Sequence, residues 1–111
     1  MNEQTIQQLI LEYEGQIRSD AHTTRARASR SQAGKKILEM GCAALRDIVT
    51  HLKATQPRDE DWNMCTAWGF LLYWIAQGAN LTGDTPDRLG DLAGWIAWAE
   101  RHASNATAVY P

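Results

Sequence analysis

The sequence contains few cysteines, which cross-link a chain, and few prolines, which stiffen its backbone. Its 111 residues include two cysteines, three prolines and one phenylalanine. Two cysteines cannot supply a disulfide framework, which excludes a small stapled secreted fold. Eight glycines with three prolines exclude a collagen-like or proline-rich chain. The net charge of −2 argues against nucleic-acid binding through overall charge. We therefore expect one domain, residues 1–111, with reduced thiols and a cytoplasmic location.

An uncharged run is present at residues 62–83, but it lacks the continuous apolar character of a membrane span. Polar side chains interrupt both of its ends, and its densely apolar part covers only residues 67–76. A spanning helix needs about 20 predominantly apolar residues. The chain also opens on a polar segment that does not resemble a secretory signal. The run therefore predicts the buried central helix of a soluble domain, and we expect no membrane partner.

Apolar residues recur at helical spacing in five segments, and no segment alternates as a strand does. The spacing predicts helices near residues 3–18, 24–40, 44–54 and 60–78, and a last helix that begins at Thr85-Pro86. Gly41 is expected to end the second helix. A break is expected at residues 19–23 and a flexible tail at residues 104–111. The sequence thus predicts an all-α fold of four to five antiparallel helices, built as two stacked helical hairpins plus an N-terminal helix.

The run SQAGKKILEMG at residues 31–41, followed by CAALRDIVTHLKATQPRDED, resembles a HEAT- or armadillo-type helical repeat. In that family a helix of small residues ends at a glycine turn, and the second helix reads Ala-Leu-x-x-Ile-x-x-x-Leu. The resemblance covers mainly residues 31–61. It implies a HEAT-like helical array with a protein-binding or scaffolding role, and it names no catalytic residue. The matching residues are Ala33, Ile37 and Met40 on the first helix and Ala44, Leu45, Ile48 and Leu52 on the second.

Motifs that carry catalysis or bind metals are missing from the sequence. The three histidines are isolated from one another, and the two cysteines are 23 positions apart, which does not match the spacing of zinc ligands. No nucleophile elbow, phosphate-binding loop or dinucleotide fingerprint occurs. We therefore predict no catalytic residue, no metal and no cofactor, and a non-catalytic role is favoured.

Tryptophan is the aromatic residue that this chain uses most, with five copies. On the last predicted helix, one face carries Asp91, Trp95, Trp98 and His102 at helical spacing. With Trp62, these residues are the candidate surface for a protein partner, a second copy of the chain or a small ligand, because indoles are enriched at binding hot spots. The alternative is that the indoles complete the core. The favoured function is a helical protein–protein interaction or scaffolding module.

The basic residues are concentrated in one segment, since residues 18–36 hold six of the chain's eleven lysines and arginines. They predict an alternative function, the binding of nucleic acid or another anion. No aromatic residue is interleaved with them, so bases would have no stacking platform within the segment. A solvated helix face is the competing interpretation. The candidate anion-binding residues are Arg25, Arg27, Arg30, Lys35 and Lys36.

Overall fold

A computed structural model of the chain describes residues 5–20, 22–56 and 62–109, without the side chains of Trp62 and of residues 104–109. Within these ranges the chain forms six α-helices and no strand. The predicted all-α class is therefore confirmed. The helices are α1 (Ile6–Ser19), α2 (Thr24–Arg30), α3 (Gln32–Met40), α4 (Leu45–Thr55), α5 (Trp62–Gly78) and α6 (Leu92–Val109), with 3₁₀ turns at Gly41–Ala44 and Thr82–Asp84.

Helix α5 is the centre of the bundle, as its apolar character on all sides predicts. It contacts α1, α2, α3 and α6. Trp68 near its middle is fully buried, and its ring lies edge-on to Tyr13 of α1, with the ring centroids 4.8 Å apart. No helix in the described ranges is long and apolar enough to cross a membrane. The buried apolar residues of α5 are Met64, Cys65, Ala67, Trp68, Leu71, Leu72, Ile75 and Ala76.

A buried carboxylate ties α5 to its neighbours. Glu14 of α1 is 6% exposed and accepts a hydrogen bond of 3.0 Å from the indole Nε1 of Trp68. Nε2 of His51, on α4, lies 3.1 Å from the other carboxylate oxygen. The Tyr13 hydroxyl donates to the carbonyl of Ala67 at 2.5 Å, and burial raises the pKa of Tyr13 above its usual value. Hydrogen bonds thus join α1 and α5, and the close approach of His51 to Glu14 brings α4 to the same point.

The helices do not pack in the order in which they follow along the chain. The most extensive contacts join α1 with α3, α4 with α6 and α2 with α5. The short connections suggested that α3 packs on α4 and that α4 packs on α5. Among the described residues, these two pairs make few contacts. Gly41 ends α3 as predicted, with a φ of +59° that favours glycine. The 3₁₀ turn that follows packs on α3, α4 and α6, and so occupies the space beside α4.

The helix predicted over residues 24–40 is two helices, because Ser31 interrupts it. Its hydroxyl accepts a hydrogen bond of 2.9 Å from the backbone N–H of Gly34, and it also contacts the side-chain oxygen of Gln16. A serine that caps a new helix adopts extended backbone angles, and Ser31 does so with a ψ of 121°. The expected break between the first two helices is present, since α1 ends at Ser19 and α2 begins at Thr24.

The prediction that Pro86 lies in the first turn of the last helix is wrong. Helix α6 begins six positions later, at Leu92, because Asp91 caps it: the carboxylate accepts a hydrogen bond of 3.0 Å from the backbone N–H of Gly94. At its other end α6 continues to Val109, so residues 104–109 are helical rather than the irregular tail that was expected. Residues 110 and 111 of that tail lie outside the described ranges.

The chain between α5 and α6, residues 79–91, lies directly against α5 at Gly69. A Cβ added to Gly69 would overlap the backbone carbonyl of Leu89. Any larger residue at this position would therefore push the connection away from α5. We call residues 79–91 the connecting loop.

We expect Gly69→Ala to destabilise the protein and Gly15→Ala to stabilise it, although both glycines lie inside helices. Alanine gains up to about 1 kcal/mol over glycine inside a helix, and the space beside Gly15 is open. At Gly69 the overlap with Leu89 is expected to outweigh this gain and leave a net loss of about 1–3 kcal/mol. Urea unfolding measures both changes. Effects of the same sign would contradict the close contact at Gly69.

Candidate anion-binding groove

The indoles of α6 belong to the core and not to a surface. Trp95 and Trp98 are both 0% exposed, and their rings meet edge-on with centroids 5.6 Å apart. The prediction that these two residues belong to a partner-binding surface is therefore wrong. The physical reason is that the connecting loop covers this side of α6 and its carbonyls accept the indole hydrogens. The indole of Trp95 donates to the carbonyl of Arg88 at 3.1 Å, and that of Trp98 donates to Leu81 at 3.3 Å. The side chain of Trp62, the third indole of that surface, lies outside the described residues.

Asp91 and His102 do not converge on a pocket, as the small-ligand hypothesis required. Asp91 caps α6, whereas Nε2 of His102 lies 3.0 Å from a carboxylate oxygen of Asp84. The two residues are about three helical turns apart on α6. The hydrogen bond from His102 holds the pKa of Asp84 below its usual value. Both residues therefore fix the connecting loop to α6.

The candidate basic residues do not form one patch. Arg30 pairs with Asp20, with 3.2 Å between Nε and the carboxylate. Arg27 donates to the carbonyls of His22 at 2.5 Å and Ile17 at 3.3 Å. It thereby satisfies a carbonyl at the C-terminal end of α1, which has no partner within its own helix. At least two N–H groups of Arg27 therefore form hydrogen bonds within the protein. The lysines of the set, Lys35 and Lys36, lie exposed on α3.

A cavity of about 760 Å³ lies where the first turns of α2 and α5 meet residues 88–90 of the connecting loop. We call it the basic groove. Its cationic lining comes from Arg25 and Arg27 of α2 and Arg88 of the loop, and the ring of His22 lines it as well. Its described lining residues include no aspartate or glutamate. The volume lies within the range of about 300–1,000 Å³ that is typical of small-ligand sites.

Two of these arginines are available for a ligand. Arg25 and Arg88 are exposed, and neither forms an ion pair with any described residue. They come from elements far apart in the sequence. Arg88 is held in place because its own carbonyl accepts the indole hydrogen of Trp95 and because the next residue, Leu89, lies against Gly69. The groove therefore has a fixed wall on the loop side.

An unsatisfied hydroxyl also lies at the groove. Thr66 of α5 lines it and is 6% exposed, and its Oγ1 makes no hydrogen bond. Thr50 and Thr55 of α4, in contrast, each donate to the carbonyl four residues earlier at 3.0 Å. A buried hydroxyl without a partner costs about 1–3 kcal/mol. Thr66 therefore lies in the wall of the cavity, but its unpaired Oγ1 is enclosed by the protein.

A second polar cavity, of about 460 Å³, lies on the other side of Arg27. It is lined by Asp20 and Arg30 as well, and these two side chains neutralise each other. A third cleft, of about 300 Å³, lies between α2, α3 and α5 and is mainly apolar, with Leu38, Leu71 and Trp74 in its walls. Among these three cavities, the basic groove offers two arginines without an ion pair.

The sequence identified Arg25 and Arg27 but missed the other lining residues of the groove, among them Arg88, Thr66 and Phe70. Arg88 is an isolated arginine in a loop, and the other two lie within an apolar helix, so no local pattern marks them. One signal was present. Gly69 interrupts the large apolar residues of α5, and a glycine inside a helix costs about 1 kcal/mol relative to alanine. Such a cost is accepted where another segment of backbone comes close.

Comparison with known proteins adds no relative to these observations. No protein-family model, no curated protein and no solved structure matches the chain. The resemblance of residues 31–61 to HEAT and armadillo repeats therefore stays a prediction.

We expect the carboxyl of Asp20, beside the groove, to titrate with a pKa of about 2, below its usual 3.8. The backbone N–H of His22 is the largest cause, followed by the His22 side chain, whose Nδ1 lies 2.5 Å from the carboxylate. Because the pKa is lowered on folding, this contact stabilises the fold above the usual pKa, and its contribution is lost as the pH falls through about 2.

Carbon-detected NMR titration of Asp20 measures this pKa. In His22→Ala the ring is removed but the backbone N–H stays, so the pKa should rise only part of the way to 3.8. An Asp20 that titrates at its usual value in the unmodified protein would contradict the described contact.

Proposed function

We propose that this protein is a binding module whose ligand carries an anionic group, a phosphate or a carboxylate, that is held in the basic groove between Arg25 and Arg88. The single observation that carries the proposal is that these two unpaired arginines, from α2 and the connecting loop, line the same cavity. Like charges close together repel, and an anion between them replaces this repulsion with charge-assisted hydrogen bonds. The guanidinium group suits this role because its planar fork matches carboxylate and phosphate oxygens.

The proposal assigns different roles to the basic residues of α2 and α3. Arg25 contacts the ligand together with Arg88. Arg27 is a positioning residue, because its bonds to Ile17 and His22 fix the chain that precedes α2. Arg30 stays paired with Asp20 and takes no part. Charge reversal at Arg27 or Arg30 would therefore disturb the fold as well as the ligand site, and Arg25 and Arg88 are the residues to test.

The proposal replaces the tryptophan surface as the basis of a binding role, since Trp95 and Trp98 are buried in this fold. We keep the cytoplasm as the proposed location because neither Cys42 nor Cys65 forms a disulfide, which is usual in a reducing compartment.

We expect Arg25→Glu and Arg88→Glu each to weaken the binding of inorganic phosphate and pyrophosphate by about tenfold or more, because each removes a charge-assisted hydrogen bond worth about 1.5–3 kcal/mol. Isothermal titration calorimetry at low ionic strength measures this loss. Binding to the unmodified protein should weaken as salt is added, because the contact is mainly electrostatic.

Lys35→Glu is the matched control. It changes the net charge by the same amount and lies in the same basic segment, but Lys35 is outside the basic groove and lines the apolar cleft. The proposal expects less than about a twofold change for this variant, since an exposed charge outside the site is screened by solvent and salt. Equal losses in all three variants would show that diffuse charge, and not the groove, attracts the anion. An unmodified protein that binds neither phosphate nor pyrophosphate at low salt would contradict the proposal outright.

A further inference from the structure

The basic groove has an apolar wall next to its arginines. Phe70 of α5 is half-buried and lines the cavity, and Leu89 of the connecting loop lines it as well. Behind Phe70 lies the ring of Trp74, with a centroid separation of 5.6 Å and an angle of 31° between the ring planes. Trp74 thus supports the ring of Phe70 from the side of α5. A ligand that was only an inorganic anion would leave this aromatic wall unused.

The groove also offers a hydrogen-bonding group beyond its cations, the exposed side-chain amide of Asn63. The side-chain oxygen of Asn63 accepts a hydrogen bond of 2.8 Å from the Thr24 hydroxyl. With the oxygen so placed, the amide nitrogen of Asn63 donates to no described residue. A ligand that fits this lining therefore has a largely apolar group with hydrogen-bonding atoms at its edge.

We infer that the ligand of the basic groove is a small molecule in which a planar heterocycle is attached to a phosphate, as in a nucleoside monophosphate. This inference rests on the proposed anion-binding function and adds the chemical class of the ligand. The phosphate lies between Arg25 and Arg88, the heterocycle stacks on Phe70, and a ring nitrogen or carbonyl accepts a hydrogen bond from the amide of Asn63. Heterocycles suit this wall because their faces stack on aromatic rings while their edges form hydrogen bonds.

The aromatic platform was missing from the basic segment itself, which has no aromatic residue between its arginines. The fold supplies it from α5, because α2 packs on α5. Arginines from α2 and a ring from α5 thereby line one cavity.

The test compares three probes by calorimetry on the full chain: adenosine 5′-monophosphate, ribose 5-phosphate and inorganic phosphate. Stacking of a base on an aromatic residue corresponds to about a tenfold gain in affinity or more, so the adenosine compound should bind at least this much more tightly than ribose 5-phosphate. Phe70→Leu should remove the contribution of stacking and lower its affinity by about tenfold or more. The affinity for inorganic phosphate should stay the same, which shows that the arginines are still in place.

Tyr73→Leu is the matched aromatic control. Tyr73 lies on the same helix, but its ring faces Trp95 at 6.3 Å and does not line the groove. We expect no change in the ratio of the affinities for the adenosine compound and ribose 5-phosphate, because a shift of Arg88 through Trp95 would affect both compounds alike.

The outcomes separate the two proposals. If no probe binds, both the anion-binding function and this inference are overturned. If all three probes bind equally well, or if Phe70→Leu and Tyr73→Leu have the same effect, the function stands and the heterocycle is overturned. A single-stranded hexanucleotide that binds more than about a hundredfold more tightly than the monophosphate, with a steep salt dependence, would overturn the assignment to a small molecule.

Discussion

The contact between the connecting loop and the two helices that flank it determines what this bundle can present to a ligand. At Gly69 the backbone of Leu89 lies directly on α5, and on the other side the indole of Trp95 donates to the carbonyl of Arg88. Two consecutive loop residues, Arg88 and Leu89, are thus held by α6 and α5 respectively. Since loops with free backbone groups are usually mobile, these contacts turn residues 88–90 into a rigid wall.

The basic groove follows from this wall and from the break between α1 and α2. Arg27 holds the break by donating to two backbone carbonyls, and Asp20 neutralises Arg30 on the far side. Arg25 and Arg88 thus line the same cavity, and neither has a counter-ion among the described residues. The helices that carry these groups are fixed in turn by the core around Trp68, where a buried glutamate joins three helices.

The sequence was sufficient for the class of fold because helical spacing and the glycine turn at Gly41 are local features. It was insufficient wherever two local signals compete. Pro86 and Asp91 are both good residues for the start of a helix, and only the packing of the loop decides for Asp91. The face with Trp95 and Trp98 could equally be core or surface, since periodicity defines a face but not its direction. The groove combines α2, α5 and the loop, so only tertiary structure brings its residues together.

A crystal structure of the protein with adenosine 5′-monophosphate, grown at low ionic strength, tests the central claim most directly. The claim predicts that the phosphate lies within hydrogen-bonding distance of both Arg25 and Arg88, with the base against Phe70. An empty groove in which either arginine is paired with a carboxylate of this chain would contradict it.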